Sequence, residues 1–276
     1  VKLQFENNAI QFSFDSSKYF DISIPLDFDG DQPNTYNVPK ATATPYKDGT
    51  FIGDTRLGGS CNFQSITIVP HCNGTHTECI GHISNERKYI AQVLNDSMFS
   101  AKLISIPLCI AENEIENYEP KLNSKDMLIT RKEIKNALQS SGSEFVFDTL
   151  IIRTLPNLIS KKSQNYLNEE PAFLSKEAAE YLSEIGINHL VLDVPSLDRT
   201  FDEGMLTSHH IFWNVEPNSN EINSNSHLNK TITEMAFIET EIADGDYIVN
   251  IQITPFVSDA SPSRLLLYPI FELKEN

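Results

Sequence analysis

Ser175-Lys-Glu-Ala-Ala-Glu-Tyr-Leu-Ser-Glu-Ile-Gly186, with Leu190-Val-Leu-Asp193 four residues further on, sets the class of the fold. Ser175 is an N-cap residue. Ala178, Ala179, Leu182 and Ile185 recur with helical spacing on one face, and Gly186 is the C′ glycine that ends the helix. A helix, a tight turn and a short apolar strand in that order are the local signature of an α/β layered fold. Upstream, Thr149-Leu-Ile-Ile-Arg-Thr154 is apolar enough for a strand buried on both faces. Before it, Thr130-Arg-Lys-Glu133 forms a capping box that opens a helix with Ile134, Ala137 and Leu138 on its apolar stripe.

Further out, alternation predicts strands over Lys2–Phe5, Ile10–Phe14, Tyr19–Ile24, Ser65–Val69 and Leu103–Leu108. Near the carboxyl end, Thr231–Ile238, Tyr247–Phe256 and Arg264–Leu273 read as extended. Asp27–Thr50, with turn signals at Asp29-Gly30 and Asp48-Gly49, reads as one long loop of the kind that is usually functional. Glu112–Asp126 and Asn218–Asn229 read as solvated insertions. No internal repeat or linker is visible, so the expectation is a single domain over residues 1–276.

The 276 residues leave ample chain for a core. A formal charge of −17 leaves no cationic surplus to neutralise phosphates, which argues against nucleic acid or an anionic membrane surface as partner. No apolar run approaches the roughly 20 residues that span a bilayer. The amino end lacks a secretory pattern, and the absence of Met at position 1 leaves room for a removed upstream segment. Cys61, Cys72, Cys79 and Cys109 are too few for a disulfide scaffold and form no paired CxxC, so reduced thiols and a cytoplasmic setting are expected. Asn73, Asn95 and Asn229 head glycosylation sequons, which arise often by chance.

Chemistry concentrates in Pro70-His-Cys-Asn-Gly-Thr-His-Thr-Glu-Cys-Ile-Gly-His82, which holds three of the seven histidines and two of the four cysteines. Imidazole, carboxylate and thiol together are the ligands of borderline metals such as zinc. The stretch follows a predicted strand, and Asn73-Gly74 supplies a turn. Three other places draw notice. Asp193 and Asp198 lie at a strand end, His209-His210 is a histidine pair, and Glu234 stands in an otherwise apolar strand, where a buried acid needs a partner and an exposed one faces water.

Taken together these segments resemble the cyclase family of metal-dependent hydrolases, which includes the bacterial kynurenine formamidases. Gly74-Thr-His-Thr-Glu78 and His82 follow the family's His-x-Gly-Thr-His-x-Asp-x-Pro-x-His hallmark. Tyr19–Leu26 resembles its opening segment and Pro171–Leu182 its central helix. Asp193–Asp198 with His209-His210 resembles its Asp-x-Pro-Ser-x-Asp…His-His stretch. Glu234 with Ala243–Tyr247, and Ser261–Arg264, match its last motifs in the same order.

The resemblance implies a swivelling β/β/α fold with a mixed sheet or barrel-like core and flanking helices. It implies zinc or manganese held by His71, His76 and Glu78, with His209 and Glu234 completing an adjacent second position and Glu234 bridging. His82 would be the general acid/base, and Asp193 and Asp198 would buttress the loop before the histidine pair. It also implies a homodimer or larger homo-oligomer and a small carbonyl substrate: a formamide, cyclic amide, ester or lactone cleaved by metal-activated water.

Three departures qualify the match. Five positions separate His71 from His76 where the family has four, so Cys72 is the ungapped first ligand. His71 is preferred, with Asn73-Gly74 absorbing the extra residue as a bulge. Glu78 replaces the usual Asp, and Cys79-Ile80 replaces Ala-Pro. His210 stands as the alternative to His209. The competing classes are a non-catalytic binding protein on the same fold and a protein whose metal is purely structural.

Overall fold

A computed structural model describes residues 1–142, 144–167 and 170–273. Residues 274–276, the end of the expected domain, lie outside that set.

Seven strands close on themselves. In chain order they are β1 (His76–Cys79), β2 (Met98–Pro107), β3 (Thr149–Leu155), β4 (His189–Leu192), β5 (Thr231–Glu234), β6 (Gly245–Ile253) and β7 (Ala260–Pro269). Around the ring they run β6-β2-β3-β4-β5-β1-β7, and the pairing of β6 with β7 completes the circuit. β2, β3, β4 and β5 are parallel, while β1, β7 and β6 pair antiparallel with their neighbours. The α/β barrel-like fold expected from the sequence is therefore the one observed.

Strand periodicity divides the ring into two cores. Cys79, Ala101, Leu103, Ile151, Val191, Val249, Ile251, Leu265 and Leu267 fill the inside. Their neighbours Ile104, Leu150, Ile152, Leu190, Leu192 and Ile232 point outward against the helices. Those helices are α1 (Arg131–Ser140), α2 (Lys176–Glu184) and α3 (Thr207–Trp213). Thr130 Oγ1 accepts from Glu133 N and Ser175 Oγ from Ala178 N, so both predicted caps are made. Gly186 adopts φ +75°, which a residue with a Cβ rarely does. Ile185, expected on the buried face, is 37% exposed because it falls at the C-cap, past the last turn that packs.

The amino-terminal half departs most from expectation. Asp27–Thr50 is not one loop: Thr42–Pro45 pairs antiparallel with Gln64–Thr67, and Lys47–Asp48 with Phe51–Ile52. The strand predicted at Ser65–Val69 is this exposed arm, not a barrel strand, and the barrel strand lies inside the ligand-rich stretch itself. Alternating Thr and Ile residues signal a pleat, and they do so whether or not one face is buried; Ile66 is 59% exposed. The strand expected over Thr231–Ile238 ends at Glu234, because Met235 takes φ +52°. Among the described residues, no helix is long and apolar enough to cross a membrane.

Candidate metal centre

The register of β1 against β5 builds the floor of the site. His76 lies opposite Glu234, and Glu78 opposite Ile232. Since Cys79 packs inside the barrel, Thr77 shares its face, and the Thr77 and Thr233 hydroxyls meet there at 2.7 Å. His76, Glu78 and Glu234 therefore project together from the outer face, near the carboxyl end of β5. All three are buried, none more than 3% exposed.

α3 brings the second half. Leu206 at its N-cap offers no side-chain hydrogen bond, and the carboxylate of Asp198 does that work from a distance. Asp198 accepts from Ser208 N (2.7 Å) and His209 N (3.1 Å), satisfying donors that a helix start leaves open. The same carboxylate takes the His209 Nδ1 at 2.6 Å, so the cap also aims the ring. His209 Nε2 then lies 3.0 Å from Glu78 Oε1 and 4.0 Å from Glu234 Oε1. Tyr118, from the insertion expected to be merely solvated, is buried and donates its hydroxyl to Asp198.

His71 closes the third side. Its Nδ1 is 2.9 Å from Glu78 Oε2 and its Nε2 is 2.8 Å from Asp259 Oδ2. His82 Nδ1 stands 3.5 Å from Asp259 Oδ2 and 3.8 Å from Glu78 Oε2, with its ring 4.3 Å from that of His71. His71 and His82 keep 26% and 28% of their side chains exposed, so the cluster is open on this side.

All six residues singled out for the site thus come together. Ligand atoms of His71, His76 and Glu78 lie within 4.8 Å of one another, as do those of Glu78, His82 and His209. The alternatives do not join. Cys72 belongs to no such group among the described residues. His210 turns both ring nitrogens to backbone carbonyls, of Leu206 (2.8 Å) and Ser219 (3.0 Å), and lines a separate 710 Å³ cleft with residues of α2. Asp193 binds Thr154 and Lys161, a structural role. A glycan on Asn73 is ruled out by its burial, with Oδ1 accepting from Val69 N and Nδ2 donating to Pro39 O. Asp259 escaped the motif reading altogether.

The electrostatics of the cluster suit a cation. Among the described residues, no Lys or Arg pairs with Glu78, Glu234, Asp198 or Asp259; every ion pair these carboxylates make is to a histidine. Burial raises the Glu78 pKa, but His82, His209 and His71 outweigh it and hold the acid well below its ordinary value. Burial lowers His209, and its bonds to Asp198 and Glu78 overcome that and hold it well above 6.5. His71 is pushed up in the same way, against burial, to about 10 by Asp259 and Glu78.

His76 makes the sharper case. Its Nδ1 is held 2.9 Å from the Gly74 carbonyl, which requires a proton on that nitrogen. In the neutral ring Nε2 is then a lone pair, and it faces the Glu234 carboxylate at 3.2 Å. Neither His76 Nε2 nor Glu78 Oε2 has a hydrogen bond of normal geometry, although both are buried. Two acceptors facing each other are repulsive unless a proton or a metal ion stands between them. The residues present fit a divalent ion held by imidazole and carboxylate.

Comparison with known proteins agrees. The model of the family described as putative cyclase matches residues 20–199, and the chain belongs to that family. It is 26% identical over 264 residues to a kynurenine formamidase of Bacillus cereus (strain ATCC 10987 / NRS 248), covering 92% of this chain and 99% of that protein. A kynurenine formamidase of Bacillus anthracis matches at the same identity and coverage. Among solved structures, an isatin hydrolase bound to thioisatinate superposes with a TM-score of 0.62 at 16% identity, over 91% of this chain and 92% of its own. A potential metal-dependent hydrolase with cyclase activity gives 0.59 at 18% identity, over 91% and 97%.

Proposed function

We propose that this chain is a metal-dependent hydrolase of a C–N bond beside a carbonyl, with formamides and cyclic amides as the first substrates to try and lactones and aryl esters next. One observation carries the reading: buried carboxylates whose charged partners are all histidines, with the His76 and Glu234 acceptors facing each other. The relatives named kynurenine formamidase and the fold shared with an isatin hydrolase support it.

In this reading His71, His76 and Glu78 hold one ion, and His209 and Glu234 contribute to an adjacent position. The two oxygens of Glu78 divide between His71 and His209, so this carboxylate would serve both halves of the ligand set along with Glu234. Zinc suits the imidazole-rich set, with manganese the alternative. A bound divalent ion supplies a water of lowered pKa and polarises a carbonyl oxygen. The chain's own residues do the rest. Gly74 O and Asp198 fix the tautomers of His76 and His209, leaving each Nε2 free to ligate. His82, on the open side, takes a proton from water and returns it to the departing amine.

The same openness favours catalysis over a structural metal, whose ligands would enclose it. Tyr36 and Phe201 line a 680 Å³ cavity with Asp202 and Leu206. Tyr36 lies close enough to the site acids that its phenol is raised, by burial first and then by Glu234 and Asp202. We place the protein in the cytoplasm, in keeping with four free cysteines, as one domain assembled into a homodimer or larger homo-oligomer.

The test is metal analysis of protein prepared without chelator, followed by turnover on N-formyl, cyclic amide, aryl-ester and lactone substrates. Bound zinc or manganese and hydrolysis that disappears in His76→Ala are expected. A protein that takes up neither metal after loading sinks the reading.

A further inference from the structure

Asp259 lies 3.5 Å from the general acid/base of the proposed reaction, and its carboxylate lies within 4.8 Å of ligand atoms of His71 and His82, so it could serve either as a further metal ligand or as a partner of that histidine. Its backbone is tightly placed. The residue immediately precedes β7, whose Ala260 lies opposite Glu78, and its carbonyl accepts from Cys79 N at 3.0 Å. On the other side the Ser258 carbonyl accepts from Ile90 N at 2.8 Å. Gly81 lets the two chains approach: a Cβ there would stand 2.2 Å from the Lys88 carbonyl oxygen and 3.2 Å from the Asp259 Cβ. The carboxylate is thus delivered between His71 and His82 by main-chain contacts, not by its own side-chain freedom.

We propose that Asp259 is the positioning residue for His82, accepting its Nδ1–H and so leaving Nε2 as the atom that takes up and returns the proton. Among the described residues Glu78 is the other carboxylate paired with that nitrogen, at 3.8 Å, but its two oxygens are aimed at His71 and His209. Asp259 Oδ2 is nearer at 3.5 Å, and Oδ1 is steadied by the Ser258 hydroxyl at 3.2 Å. The same Oδ2 meets His71 Nε2 at 2.8 Å, so one carboxylate sets the rings of a ligand and of the acid/base together. The role rests on the hydrolase reading, but the geometry that defines it can be measured without turnover.

The measurement is the ring-nitrogen NMR spectrum of the full chain labelled with ¹⁵N-histidine, with His82→Ala used to assign the His82 signals. Wild-type protein should show neutral His82 as the Nδ1–H tautomer, and Asp259→Ala should shift it toward Nε2–H. Bound metal per chain should not change. With an active substrate, Asp259→Ala should lower kcat on the order of 10²-fold with little change in KM, and should have no further effect in a His82→Ala background. Wild-type His82 in the Nε2–H form overturns the proposal even if the variant does not fold. A spectrum unmoved by Asp259→Ala overturns it too, and loss of metal in that variant makes Asp259 a ligand instead. If the tautomer shifts as expected and no substrate is turned over, the hydrolase reading fails and the positioning role stands.

Discussion

The two faces of β1 and β5 are made from alternating residues of the same eight-residue ladder, and they could hardly differ more. Inward, Thr77 and Thr233 hydrogen-bond each other and Cys79 packs among aliphatic side chains. Outward, His76, Glu78 and Glu234 sit buried; among the described residues every charged partner of the two carboxylates is a histidine, and Glu234 Oε1 also accepts from Leu197 N at 2.9 Å. The inner face is complete as it stands. The outer face keeps buried acceptors without a hydrogen bond and can hold a cation, while the inner face and the neighbouring strands hold the backbone in place. Stability and function are thus separable across a single strand.

Substitutions on the two faces should break apart accordingly. Glu78→Ala, which removes the carboxylate shared between His71 and His209, should abolish metal uptake by elemental analysis and with it all turnover. Asp198→Asn touches no metal but loosens His209, and should weaken metal affinity about 10–100-fold in a competition titration. Ile151→Ala empties a fully buried position inside the ring, and should cost about 2–5 kcal/mol in denaturant unfolding. The metal content of that variant should stay at the wild-type level. An Ile151 variant that lost metal in proportion to its stability would collapse the distinction between the faces.

How far the sequence reached follows the same division. α2, β3 and β4 were legible because caps, a C′ glycine and long apolar runs are local signals, decided within a dozen residues. His76 and Glu78 were legible as a pair because residues two apart in a strand share a face whatever the strand pairs with. Asp259 was not, because its contact with His71 spans 188 residues and exists only once β7 lies against β1. Tyr118 was hidden in a polar insertion for the same reason, its partner Asp198 being 80 residues away. Likewise it is tertiary placement that brings His71 and not Cys72, and His209 and not His210, up to Glu78. The arm's strands over residues 42–52 were missed because they are two to four residues long and largely exposed, so that no buried face marks them.

The smallest effect predicted is also the one that reads the outer face most directly, through protons. In the metal-free protein His71 is raised from 6.5 to about 10, so at neutral pH it carries a proton in the folded chain that the unfolded chain partly gives up. A raised histidine contributes stability that is fully present below its unfolded value and is lost as pH rises through its folded value. Thermal unfolding of the metal-free protein should therefore show a modest decline between pH 6.5 and about 10 from this residue, tempered by its partial exposure. Metal binding demands the opposite state, because an imidazole ligates only when its nitrogen is free of a proton. Loading should then release protons at pH 7, detectable as a buffer-dependent heat of binding, and affinity should climb with pH. The loaded protein, whose His71 no longer titrates, should lose the decline. Heats of binding that do not vary between buffers would mean that His71 and His209 are already neutral, and that the carboxylates of the outer face are balanced by something other than their histidines.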